Sequence, residues 1–135
     1  MLVQGTLQLP GDKSISHRAI MLSAIADGVS YVRNLNDGAD LQSTINILRD
    51  CGASIDHKED EFVINGKKLH SPSKDLDCGN SGTTTRLVAG LLASQKLTFS
   101  LIGDESLSKR PMKRIITPLK SMGCKISSNN GLLPL

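Results

Sequence analysis

Apolar residues recur at helical spacing in four stretches of the chain, with short β-branched or alternating runs between them. After Gly11-Asp12-Lys13, the positions Ile15, Ala19 and Leu22 share one face of a predicted helix, and after Gly79-Asn80-Ser81 the positions Leu87 and Leu91 share another. A strand follows each: about Val29 to Leu35, and Leu97 to Ile102. A second helix comes next. In one stretch Asp40 reads as its N-cap, Leu41, Ile45 and Leu48 as its stripe, and Gly52 as its stop. In the other, Pro111 suits the first turn, Met112, Ile115, Ile116 and Leu119 form the apolar face, and Gly123 ends it. Pro118 falls inside this helix and is expected to kink it or shift its start. ASIDH and EFVIN read as two strands around a polar turn, and a single strand is expected near Lys125 to Ser127. With a strand before each glycine loop (Val3 to Leu9, and about Leu76 to Cys78), the unit is βαβαββ.

These stretches are copies of one another. A shift of 68 residues sets Gly11 on Gly79, Arg18 on Arg86, Ile20 on Val88, Val29 on Leu97 and Tyr31 on Phe99. A shift of 71 sets Ile45 on Ile116, Leu48 on Leu119, Gly52 on Gly123 and Ile55 on Ile126. The second copy stops in NNGLLPL, where a further hairpin strand is expected, so the chain reads as an incomplete α/β structure.

Composition removes several classes of function. No apolar run approaches the roughly 20 residues of a membrane helix, and the first residues lack the basic and long apolar regions of a secretion signal, which makes the cytoplasm the expected compartment. Cys51, Cys78 and Cys124 lack metal or disulfide spacing and read as reduced thiols. A net charge of +3 and only three aromatic rings (Tyr31, Phe62 and Phe99) argue against a nucleic-acid surface. His17, His57 and His70 show no metal pattern, and His17 reads as a polar residue on a helix surface. Walker A and GxGxxG signatures are absent, as is the GxSxG elbow, although spacing alone does not settle the question of a Ser-His-Asp or Cys-His-Asp arrangement.

The informative places are the two glycine loops. A helix start carries unpaired N–H groups and partial positive charge, and so attracts anions. In the first loop Lys13 adds a cation, Ser14 and Ser16 add hydroxyls, and Arg18 follows one turn later. In the second, Asn80, Ser81, Gly82 and Thr83 to Thr85 supply polar groups, with Arg86 matching Arg18. Arg110 precedes Pro111 and lies where its side chain can reach across a helix end, whereas Lys113, Arg114 and Lys120 read as a solvated face. Two matched loops with equivalent arginines suit a ligand carrying more than one negative group.

PGDKSISHRA at Pro10 to Ala19, GNSGTTTRL at Gly79 to Leu87 and KRPM at Lys109 to Met112 together resemble the 5-enolpyruvylshikimate-3-phosphate synthase family. The likeness runs along essentially the whole chain. It implies the inside-out α/β barrel fold of the enolpyruvyl transferases, in which each of two domains holds three βαβαββ units. Residues 1–10 would supply a strand belonging with the other domain, and residues 11–135 the N-terminal part of one domain, about one and a half units. The implied activity transfers the enolpyruvyl group of phosphoenolpyruvate to shikimate 3-phosphate, in aromatic amino-acid biosynthesis. The resemblance assigns Lys13, Ser14 and Arg18 to shikimate 3-phosphate and Lys13, Gly82 and Arg110 to phosphoenolpyruvate, with Asn80 and Thr83 shaping that pocket. It implies no cofactor, metal, nucleic acid or membrane partner, and no catalytic acid or base among these residues, because those groups lie in the family's other half. Full-length members are usually monomers, and a fragment is open to self-association through its first strand. The sister enzymes acting on UDP-N-acetylglucosamine usually carry asparagine where Ser14 stands and a reactive cysteine before the Arg-Pro pair. GDESLSKRP has none. A noncatalytic anion or nucleic-acid binding module is the alternative outside this family.

Overall fold

The computed structural model describes residues 4–7 and 9–135. Its elements run α1 (Lys13–Ile25), β1 (Gly28–Arg33), α2 (Ala39–Asp50), β2 (Ser54–Lys58), β3 (Glu61–Gly66), β4 (Leu76–Asp77), α3 (Gly82–Ser94), β5 (Leu101–Ile102), α4 (Glu105–Ser108) and α5 (Lys113–Ser121). In the first copy the strands form an antiparallel sheet ordered β1-β3-β2, with Tyr31 opposite Val63 and Ile55 opposite Ile64. β4 pairs with β5 in parallel. Helices α1 and α2 pack on one another, α1 lies against β3, and α3 packs against both helices of the first copy and against α5.

The repeat is visible in three dimensions, and it shows which face of each helix is inside. The buried positions of α1 are Ser16, His17, Ile20, Met21 and Ala24. Those of α3 include Thr84, Thr85, Val88, Ala89 and Leu92, each 68 residues on. Gly52 and Gly123, matched by the longer shift, both adopt a left-handed backbone (φ 93° and 96°) just past their helices.

This corrects the expected face of α1. Ile15 and Leu22 are 68% and 62% exposed, and the stripe turns toward Ser16 and His17. Hydrophobicity alone misplaces the face because Ser16 and His17 Nδ1 make hydrogen bonds inside, which offset part of their desolvation. Leu87 and Leu91 are likewise only half-buried beside Val88 and Leu92. On α2, Leu41, Ile45 and Leu48 are buried as expected, but the N-cap is Gly38 and Asp40 lies in the first turn. On α5 the cap is Met112, so Pro111 stands before the helix, and Pro118 is inside it.

The strand expected at Leu97 to Ile102 reduces to its last two residues, and Lys125 to Ser127 form none, since no described strand lies beside them to complete a ladder. Val3, within the strand expected at Val3 to Leu9, lies outside the described residues, as does Gln8. Residues 4–7 and Leu9 are exposed and carry no strand pairing. At Gly11 a side chain would run into the carbonyl of Asn34, so glycine here permits the first loop to close against the end of β1.

Candidate anion site at two matched helix starts

Both leading helices begin with side-chain caps. The Asp12 carboxylate accepts from the N–H of Ile15 at 2.8 Å, and the Ser81 hydroxyl accepts from the N–H of Thr84 at 3.1 Å. One turn on, each copy folds its arginine back in the same way. Arg18 Nη1 donates to the Ser14 carbonyl at 2.9 Å, and Arg86 Nη1 donates to the Gly82 carbonyl at 3.1 Å. Ser14 and Gly82 are themselves matched by the shift of 68, so the two guanidinium groups occupy equivalent places above equivalent turns.

Helix α2 brings the two starts together through one residue, Asp40. Its carboxylate forms an ion pair with Lys13, and its backbone carbonyl accepts from the Thr84 hydroxyl at 3.0 Å. The Lys13 ammonium, and to a lesser degree the facing Ser81 hydroxyl, hold the Asp40 carboxyl below its ordinary titration range against the opposing effect of burial. On the other side of the second loop, Arg110 Nη2 donates to Asn80 Oδ1 at 2.6 Å and to Ser106 Oγ at 3.3 Å, while Asn80 Nδ2 donates to Asp104 at 2.7 Å. Asp104 also caps α4 by accepting from the N–H of Leu107, and these bonds hold its carboxyl below the usual range as well. Arg86 Nη2 reaches the Pro111 carbonyl at 3.4 Å, tying the second loop to the entrance of α5.

Gly82 is where the cations converge. A Cβ there would collide with the Arg86 guanidinium and lie 3.6 Å from Arg110 Nη1. The absence of a side chain therefore lets two guanidinium groups approach the first turn of α3. Lys13, Ser14 and Arg18 sit together on the first turns of α1, and Asn80, Gly82 and Arg110 sit together at the second loop, with Lys13–Asp40 between them. Thr83 is half-buried in the same turn.

Two other residues from the sequence reading stand elsewhere. Ser16 is buried, and its hydroxyl bonds the Asp12 carbonyl at 2.7 Å and the Asn36 N–H at 2.9 Å, so it builds the loop instead of facing a ligand. His17 is not on the surface but fully buried, with Nδ1 2.8 Å from Thr44 Oγ1. Asp40 and Asp104 did not emerge as site residues from the sequence. The available signal was the polar character of the matched buried positions, Ser16 with Thr84 and His17 with Thr85, which marks a polar seam between the helices.

Among the described residues no cluster of three potential ligands suits a metal, and no helix is long and apolar enough to cross a membrane.

The sequence profile described as EPSP synthase (3-phosphoshikimate 1-carboxyvinyltransferase) matches residues 2–135. The 3-phosphoshikimate 1-carboxyvinyltransferases of Streptococcus pyogenes serotypes M2 and M1 are each 54% identical to the chain over 128 residues, covering 93% of it and 30% of their own length. The solved EPSP synthase of Acinetobacter baumannii superposes with a TM-score of 0.89 at 43% identity, over 96% of this chain and 31% of that one. The chain thus spans about 30% of the length of the relatives it matches. A repeated helix–strand–helix unit, two matched cationic helix starts and a profile match along nearly every residue agree: the chain belongs to the EPSP synthase family.

Proposed function

We propose that this chain supplies an anion-binding part of a 3-phosphoshikimate 1-carboxyvinyltransferase acting in the cytoplasm. Lys13, Ser14 and Arg18 take shikimate 3-phosphate, and Lys13, Gly82 and Arg110 border phosphoenolpyruvate, with Asn80 and Thr83 shaping its pocket. In the reaction the 5-hydroxyl of shikimate 3-phosphate gives up its proton to a base as its oxygen bonds to the enol carbon of phosphoenolpyruvate, and the methylene carbon takes a proton from an acid to become a methyl group. The methyl group of the adduct then loses a proton while the bond from the former enol carbon to the phosphate oxygen breaks, releasing inorganic phosphate and leaving the enolpyruvyl ether. Bringing two polyanions together is opposed by charge repulsion, and fixed cations and helix-start N–H groups offset it.

The observation that carries this reading is the pair of equivalent arginine-bearing helix starts joined through Asp40. The same geometry argues that these residues bind substrate and leave proton transfer to other groups. Asp40 is paired with Lys13, and Asp104 is held by an N–H and by Asn80, which keeps both carboxyls below their ordinary range and makes them poor acids and weak bases near neutral pH. The buried His17 faces Thr44.

Calorimetry with shikimate 3-phosphate tests this directly. Binding is expected, and Arg18→Ala should weaken it tenfold or more, since a charge-assisted hydrogen bond contributes about 1.5–3 kcal/mol. Absence of binding by both proteins would contradict the reading. Mixing the chain with both substrates should release no phosphate, and turnover by the chain alone would refute the assignment of proton transfer elsewhere.

A further inference from the structure

A run of buried hydroxyls crosses the interface of the three central helices. From α1, His17 Nδ1 lies 2.8 Å from Thr44 Oγ1 on α2, which lies 2.9 Å from Thr84 Oγ1 on α3. Thr84 Oγ1 is in turn 2.7 Å from Ser81 Oγ and 3.0 Å from the Asp40 carbonyl. His17, Thr44, Ser81 and Thr84 are all buried. His17 Nε2 has no partner among the described residues.

The run has a direction. Each hydroxyl carries one proton, and the groups of Asp40 at the far end, a carbonyl and a carboxylate, can only accept. The Asp40 carboxylate draws the Ser81 proton toward α2, and Ser81 Oγ in turn takes the Thr84 proton across their 2.7 Å contact. Thr84 Oγ1 is then free to accept from Thr44, and Thr44, having donated, must accept from His17. The imidazole proton consequently lies on Nδ1. This arrangement also leaves a bare lone pair at the unpartnered Nε2, and an orphaned acceptor is better tolerated in an interior than an orphaned N–H. The opposite direction would bury an unmatched donor.

We propose that His17 is a positioning residue: as its Nδ1–H tautomer it begins a one-way hydrogen-bond run through Thr44 and Thr84 that ends on Asp40, keeping the two anion-binding loops in register. Asp40 is the residue that pairs with Lys13, and Ser81 and Thr84 form the start of α3, so the run joins the first loop's ammonium to the second loop's cap. A buried ring behind the first loop thereby helps set where the Lys13 ammonium stands. Its consequence for substrate binding rests on the proposed function, but the proton's place does not.

The test is two-bond proton–nitrogen NMR on the His17 ring of the labelled chain at pH 7.5, in the wild type, Thr44→Val and Thr44→Ser. The wild type is expected to show a protonated Nδ1 and a bare Nε2. Thr44→Val should abolish that preference, shift the amides of Lys13 to Ser16 and of Ser81 to Thr85, and weaken shikimate 3-phosphate binding about fivefold, the size of one net buried hydrogen bond. Thr44→Ser, which keeps the hydroxyl, should restore all three. A wild-type proton on Nε2, or the same Nδ1–H preference in all three proteins, would overturn the proposal. If Thr44→Val does not fold, the wild-type ring and its persistence in Thr44→Ser decide. A wild type that binds no shikimate 3-phosphate yet carries the Nδ1 proton defeats the substrate reading and supports the positioning role, whereas tight binding with the proton on Nε2 does the reverse.

Discussion

Helices α1 and α3 start with the same backbone turn and the same folded-back arginine, but under different caps. Asp12 places a carboxylate at the first, and Ser81 places an uncharged hydroxyl at the second. A carboxylate at a helix N-terminus neutralises the partial charge that would attract an anion, whereas a hydroxyl leaves it available. In the first loop the positive charge is therefore carried by side chains, Lys13 and Arg18. In the second it is shared by the helix start, Arg86 and Arg110, which Gly82 lets come close. The copies differ again farther along. In the first, the β2–β3 hairpin covers the helices. In the second, a groove of about 740 Å³ lies open, lined by Ala89, Leu97, Phe99, Ile115, Leu119 and Ile126 among others. Duplication has preserved the frame and let the capping chemistry and the cover diverge.

The largest test of this contrast is in the core. Leu48 and Leu92 are both fully buried, one under the closed copy and one beside the open groove. Truncation to alanine should cost about 2–5 kcal/mol at either site, with Leu48→Ala at the upper end because its surroundings are held on all sides and cannot collapse into the void. Denaturant midpoints check the order, and a costlier Leu92→Ala would break the comparison.

The caps come next. Ser81→Ala removes both the cap and a member of the buried run and should cost about 1–2 kcal/mol. Asp12→Asn keeps an equally good cap while deleting the charge, so stability should change by only a few tenths of a kcal/mol. Binding of inorganic phosphate at the first loop should tighten in that variant, and unchanged or weaker binding would contradict the role given to the carboxylate.

Acid should weaken the fold in two stages. Burial lowers the pKa of His17 below its ordinary 6.5, with Asp40 opposing this effect and Lys13 and Arg18 adding to it. The unfolded chain therefore takes up a proton that the folded ring refuses, and stability falls as pH drops below 6.5 toward the folded value. Asp40, lowered from 3.8, contributes fully above that pH, and its contribution is lost as pH falls through its folded value. Unfolding midpoints of wild type and His17→Asn between pH 5 and 6.5 should diverge, with the variant showing the flatter curve. Parallel curves would show that folding leaves the proton affinity of His17 unchanged and would contradict the effect of its burial.

The smallest expected effect is on thiol chemistry. Burial pushes Cys51 and Cys78 up to about 11, whereas Cys124 is half-buried beside the open groove. A thiol reagent should modify Cys124 first and leave the other two until the chain unfolds. Mass spectrometry of the partially labelled protein reads the order.

Much of this was legible in the amino-acid pattern. The stripe of α2, the hairpin around residues 59 and 60, and the duplicated loops all follow from periodicity and turn chemistry. The inward face of α1 was not, because hydrophobic spacing rewards Ile15 and Leu22 and takes no account of a histidine hydrogen-bonded to a threonine 27 residues away. Only the alignment of the copies carried that information. The repeated loops single out Lys13, Arg18 and Gly82, and the position just before Pro111 singles out Arg110. Asp40 reads as a cap because an acid near a helix start is usually one, and its pairing with Lys13 depends on how α1 and α2 cross.

The central claim, that the two helix starts act as one anion site, is tested most directly by titrating the labelled chain with shikimate 3-phosphate and following the backbone amides of both loops. The account predicts that Lys13 to Ser16 and Ser81 to Thr84 move together along a single binding curve. Movement confined to one loop, or two curves with separate midpoints, would contradict it.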